Sequence, residues 1–269
     1  MSLVIHELER QERRVLGALR CVDATTGLAI ADRLQVVLED APILRNRSGL
    51  YVIARAAALP THEVAFVTAP AAPAKGSVTV RGSIRDPSGH YLPRLISFTL
   101  PRDALPAHAE NADSLFTPID VALYPTSAAP LGNNWSVLRV SVTEGASGDA
   151  LGGALLRVTQ GTKVLARGLS DWRGEALVTV RGVPVTTWSD DPDAVIVNEI
   201  NATLEVVFDA AAGTRVAMAA VRVGRPPATQ TWVDPDVLED KRLTLPHASQ
   251  AVVLAAGRTQ TLTFPLALP

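Results

Sequence analysis

Chemistry in this chain would have to come from five histidines (His6, His62, His90, His108 and His247), one cysteine (Cys21) and 27 scattered carboxylates. Zinc sites draw on three or four nitrogen or sulfur ligands at short, paired spacings. No two of these histidines share such a spacing, and none lies beside Cys21. A hydrolase built on a strand-to-helix elbow would carry G-x-S-x-G, which is missing. Ser-His-Asp triads assemble across distance, so spacing alone does not decide them. His90, in Ser88-Gly89-His90, reads more simply as a turn residue. The densest acidic stretch is Ser189-Asp-Asp-Pro-Asp193, with Asp190, Asp191 and Asp193. Calcium favours such oxygen clusters, yet the D-x-D-x-D-G loop is absent and an Asp-Pro turn accounts for the acids. Gly152-Gly153 opens a strand and no helix, so it cannot cradle phosphate. No carboxylate pair stands out for glycoside hydrolysis. The chain reads as no enzyme, with no metal and no cofactor.

Binding is the other use of such residues. Trp135, Trp172, Trp188 and Trp232 are the large aromatics. Trp172, in a turn, and Trp232, near prolines, suit stacking on a sugar ring, while the plainer reading is that each tryptophan caps a core. The formal charge of −2 leaves no footprint for nucleic acid. Arg10, Arg13, Arg14 and Arg20 do cluster, but Glu7, Glu9 and Glu12 interleave with them and make a solvated face. One cysteine permits no internal disulfide. The opening MSLVIHELERQERR lacks the apolar stretch of a secretory signal, and no run of 18 apolar residues offers a membrane span. A soluble protein of the cytoplasm is expected.

The elements that would position these residues are strands. At 269 residues and 47% apolar, the chain has material for two domains with real cores. Helical periodicity is confined to the first fourteen residues. Elsewhere short β-rich runs end in turn residues, as in Val15 to Val22 before Asp23-Ala-Thr-Thr-Gly27, or Ser77 to Ile84 before Asp86-Pro-Ser-Gly89. Residues 106–134 are rich in proline and alanine and read as a linker, with Ile119 to Tyr124 as a strand candidate within it. The pattern then restarts. Turn glycines recur in order at offsets of 121 (Gly27, Gly148), 125 (Gly49, Gly174) and 124 (Gly89, Gly213). Near-constant offsets mark a duplication. The expectation is all-β: residues 1–105 as a first antiparallel sandwich with an N-terminal arm, and residues 135–269 as a second with an insertion and a C-terminal hairpin.

Two stretches carry a family resemblance: Val137 to Val158 (VLRVSVTEGASGDALGGALLRV) and Ser170 to Val178 (SDWRGEALV). Their sequence of strand, glycine-ending turn, Gly153-Ala154, strand and Asp171-x-x-Gly174 resembles the carboxypeptidase regulatory-like family. The first copy matches less well, with Ala31-Asp-Arg in place of the Gly-Ala element and Asn46-Arg-Ser-Gly49 at the second turn. The resemblance implies transthyretin/Ig-like sandwiches used as scaffold or adhesive modules, and its motifs are fold markers without catalytic residues. In general character the chain is also similar to accessory structural components of phage-tail-like and contractile injection particles.

Two functions follow. The first is a structural component that docks other protein subunits of a larger assembly. Its docking residues would lie in the irregular segments: Ile5, Phe116, Tyr124, Trp232 and Leu238. The second is a sandwich that binds a glycan or a surface. For the irregular segments the plain alternative is that they wrap their own domain.

Overall fold

The computed structural model describes residues 14–65, 68–184, 187–188, 195–196 and 199–269. Its strands are β1 Gly17–Asp23, β2 Gln35–Leu38, β3 Ile43–Arg45, β4 Tyr51–Ile53, β5 Val78–Arg85, β6 Arg94–Leu100 and β7 Ile119–Leu123. They continue with β8 Ser136–Glu144, β9 Ala150–Gly152, β10 Leu155–Gln160, β11 Lys163–Leu169, β12 Glu175–Val180, β13 Thr187–Trp188 and β14 Val195–Ile196. The last are β15 Glu199–Val207, β16 Thr214–Val216, β17 His247–Ala255 and β18 Thr259–Leu266. Two short helices, α1 Met218–Arg222 and α2 Pro235–Asp240, interrupt them. The fold is all-β: β4 runs antiparallel to β1, β12 to β8, and β10 and β17 to β15, while β18 runs parallel to β8. Among the described residues no helix is long and apolar enough to cross a membrane.

The repeated turns have repeated hydrogen bonds. Gly27 N–H donates to Asp23 O at 2.8 Å, and 121 residues later Gly148 N–H donates to Glu144 O at 2.9 Å. Asp23 and Glu144 likewise donate their own amides to Leu28 O and Asp149 O. At the next turn Gly49 bonds back to Asn46 O and Gly174 to Asp171 O. Asn46 and Asp171 each accept at the side chain from the amide four residues on. In both, a short side chain stands in for a backbone acceptor. The strand order repeats as well: β4-β1-β7 matches β12-β8-β18, and β2-β5-β6 matches β10-β15-β17. Strand β3 departs from this scheme, lying beside β4 where its counterpart β11 lies beside β10.

Contacts divide the chain into two units, one of residues 1–20, 36–82 and 97–120, the other of residues 21–35, 83–96 and 121–269. The limits fall within β1, β2, β5, β6 and β7. Residues 106–134, which the sequence reads as a linker, hold the 3₁₀ turn Pro106–His108 and strand β7. In the first unit Leu16, Leu19, Ile53, Leu59 and Leu100 are buried, and Leu19 pairs with Tyr51 across β1 and β4.

The second unit is the larger sandwich. On β8, Leu138, Val140 and Val142 face the core while Arg139, Ser141 and Thr143 alternate outward. Val178, Val206, Leu254 and Phe264 close that core from the neighbouring strands. Strand β10 behaves differently, because it is buried on both faces. Leu156 and Val158 enter the main core, whereas Leu155 on the opposite face joins Val207, Leu169, Tyr124, Val233 and Leu238 in a second cluster. The sandwich therefore has an apolar outer patch, and its own chain covers it.

Gly148 (φ 74°) and Gly174 (φ 76°) both sit in left-handed turns, a conformation that costs other residues about 1–2 kcal/mol. They differ in room. A Cβ on Gly148 would meet nothing within 4 Å, whereas one on Gly174 would stand 2.4 Å from the Val142 carbonyl oxygen. Gly148→Ala should cost about 1 kcal/mol. Gly174→Ala should cost about 3 kcal/mol or more once the steric clash is added. Urea unfolding of the two variants checks the difference.

Candidate functional site

The five docking positions read from sequence fare differently. Ile5 lies outside the described residues. Tyr124 and Leu238 are 3% and 1% exposed and belong to the cluster over Leu155 and Val207, so neither reaches a partner. Burial pushes the Tyr124 hydroxyl up to about 12. The reason for this correction is the outer apolar face of β10 and β15, which has to be shielded from water. Trp232 is half-buried and lines a shallow groove with Trp172. Three of that groove's polar side chains are already used. Asp171 accepts from Arg173 at 2.6 and 2.9 Å and from two amides, and the Thr214 and Thr231 hydroxyls bond each other at 2.6 Å. Phe116 alone of the five is both described and open to solvent, at 55%.

What fixes the covering segment is a residue that spacing does not reveal. Arg94, 1% exposed, donates to Leu95 O at 3.0 Å, Ala122 O at 2.8 Å, Asp234 Oδ1 at 2.9 Å and Asp236 Oδ2 at 2.5 Å. Asp234 also caps α2 by accepting from Asp236 N–H, with Pro235 in the first turn. The tripeptide Asp234-Pro-Asp is a helix-start signal legible in the sequence. Its cation partner, 140 positions earlier, is not.

Phe116 stands on a loop of the first unit, and that loop is bound to itself. Arg102 donates to Ser114 O at 2.8 Å, to Ala112 O, and to Thr117 O at 3.3 Å. Asp103 exchanges backbone hydrogen bonds with the opposite limb, its N–H to Asp113 O at 2.9 Å and its O from Leu115 N–H at 2.7 Å. Its carboxylate accepts from Leu105 N–H at 3.0 Å, and lies 2.8 Å from His108 Nδ1 and 3.2 Å from Lys75 Nζ. The Leu105 amide first, then His108 and Lys75, hold this carboxyl well below the usual range despite the opposing effect of burial. Lys75 also reaches Asp113 at 2.8 Å, and Thr117 donates to Ala109 O at 2.8 Å. Ser114, fully buried, accepts at Oγ from Phe116 N–H. Leu105 and Phe116 each follow the paired residues Asp103 and Ser114 by two positions, and both are more than half exposed.

The other groups with chemical potential are placed as follows. His62 is buried, and burial first, then the Arg14 charge, draw it below the ordinary histidine value, which keeps it neutral. Asp86, Ser88 and His90 are neighbours, but the carboxylate lies 2.7 Å from the serine hydroxyl, and only the serine, at 3.1 Å, faces the imidazole. That order is not a base oriented by an acid. Among the described residues no three His, Cys, Asp or Glu side chains stand together as metal ligands. The acids Asp190, Asp191 and Asp193 lie outside the described residues. No family model, curated protein or solved structure matches this chain.

Arg94→Met should destabilise the protein by about 3–5 kcal/mol, because Asp234, 10% exposed at its side chain, would be left with a buried and poorly compensated charge. Asp236 is 71% exposed, and Asp236→Asn should cost less than about 1 kcal/mol. Urea midpoints followed by tryptophan emission separate the two.

Proposed function

We propose that this chain is a non-enzymatic assembly component that docks another protein through the loop of residues 102–117. Phe116 and Leu105 are the anchoring side chains. One observation carries this reading: two large apolar side chains are held out to solvent by a loop that internal hydrogen bonds pin in place. An apolar side chain that wanders on a slack loop loses much of its binding energy in ordering. One already held in place keeps it, and large aromatic anchors dominate protein interfaces. Such display loops on rigid β scaffolds are a common way to bind.

The resemblance of the turn motifs to carboxypeptidase regulatory-like domains supports a scaffold role, because that pattern carries no catalytic residues. The setting we propose is a larger particle of the phage-tail-like or contractile injection kind.

A photo-crosslinking amino acid at position 116, introduced in the cell that makes the protein, tests the docking reading. A discrete protein adduct is expected from position 116 and not from position 243, where Leu243 is also exposed but lies outside the loop. Equal adducts at both positions, or none at 116, would contradict it.

A further inference from the structure

A cleft of about 250 Å³ in the second unit has a different character from the loop. It is lined by the buried Leu177 and Thr179, by the half-buried Trp135, and by Tyr91, Asp23, Thr25, Asp32 and His90.

The site is built, residue by residue. Gly132 makes room for the indole: a Cβ there would stand 2.4 Å from Trp135 Cε2. Arg181 lies over the same ring, 5.9 Å from its centroid, and is tied at 2.9 Å to Thr26 O. The lining around Tyr91 is set by two aspartates. Asp23 accepts from the Thr25 and Thr26 amides through Oδ1 and from Tyr91 Oη–H at 2.9 Å through Oδ2. Burial, then Asp23, push the Tyr91 hydroxyl far up, so it stays protonated and keeps lone pairs for a second partner. Asp86 accepts from the Ser88 hydroxyl and from the Ser88, His90 and Tyr91 amides. Burial alone would raise its pKa, but those bonds outweigh it and hold the carboxyl below the usual range. The loop carrying His90 and Tyr91 is thereby fixed.

Three polar groups remain unspent. The Asp32 carboxylate, the Thr25 hydroxyl and His90 Nε2 have no protein partner among the described residues. Together they offer an acceptor, a group that can do both, and a nitrogen that can do either, in the cleft that Trp135 also lines. A sugar ring needs that combination: its C–H face lies on an aromatic ring and its hydroxyls each donate and accept. The volume is below that of pockets for drug-sized ligands, and suits one ring with its neighbours left in solvent.

We infer that this cleft binds a single neutral saccharide residue, stacked on Trp135 and read through Asp32, Thr25 and His90. This goes beyond the docking reading and uses a separate set of residues, so either can fail alone. Two acids beside an aromatic would also suit a quaternary ammonium ion, and the test includes it.

The test is titration of the full-length, isotope-labelled protein with methyl glycosides of glucose, galactose, mannose and N-acetylglucosamine, and separately with tetramethylammonium. The Trp135 indole N–H resonance is the readout. At least one glycoside should shift it saturably in the millimolar range, and Asp32→Ala should weaken that binding at least tenfold with an unchanged melting temperature. Asp32 is exposed, so this variant keeps its fold even where Trp135→Ala fails to. No shift with any glycoside, a shift with tetramethylammonium alone, or glycoside binding untouched by Asp32→Ala would each overturn the inference.

Discussion

The guanidinium of Arg94, withdrawn from water at 1% exposure, ties three separate stretches of the second unit together. It binds the carbonyl of its own neighbour Leu95, the strand residue Ala122 and the acids at the start of α2. Removing a cation from water costs several kcal/mol, and the cost is offset only where every donor finds an acceptor in good geometry. Here they do. The consequence runs outward in order. Asp234, held by Arg94, caps α2; α2 places Leu238; Leu238 and Tyr124 shield Leu155 and Val207. A second charged set strengthens the cover, with Glu239 of α2 bridging Arg157 on β10 at 2.8 Å and Arg167 on β11 at 3.2 Å. A sheet that would expose an apolar face is closed by charges that choose which segment lies on it.

The same physics has another outcome in the first unit. Arg102 and Asp103 bind loop backbone as Arg94 does, but on the loop they stiffen Phe116 stays 55% exposed. Its aromatic side chain is therefore displayed. The contrast between Leu238, 1% exposed, and Phe116, 55% exposed, is the distinction between a segment that wraps its own unit and one that is offered outward. Around the Trp135 cleft, Asp23 and Asp86 fix a wall by accepting from nearby amides, and leave the groups in front of it free. Short polar side chains that bond local backbone are what make irregular chain behave as structure.

Much of this was legible in the residues, and what was not has a physical reason. The turn glycines recur because left-handed positions admit little else, so Gly27, Gly49, Gly148 and Gly174 mark the matching turns directly. Alternation on β8 announces a sandwich strand. Strand β10 hides its second buried face, because Leu155-Leu156-Arg157-Val158 reads equally as a strand with one exposed side. For the same reason Tyr124 and Leu238 read as docking residues: nothing local says that an apolar patch elsewhere in the chain awaits them. The pairing of β18 with β8 in parallel joins residues more than a hundred positions apart and has no local signature. Phe116 was visible as an apolar residue among prolines, but the hydrogen bonds that hold its loop depend on Lys75 and on the fold around it.

The loop displaying Phe116 is ordered in the isolated chain, held by its own hydrogen bonds. Native-state hydrogen exchange of the isolated full chain measures this at the Asp103, Leu105 and Leu115 amides, which donate to Asp113 O, Asp103 Oδ1 and Asp103 O. The account predicts that all three exchange slowly, with protection approaching that of the Leu19 and Ile53 amides in the adjoining sheet. Exchange of these amides at the rate of an unstructured peptide, while the sheet stays protected, would contradict it.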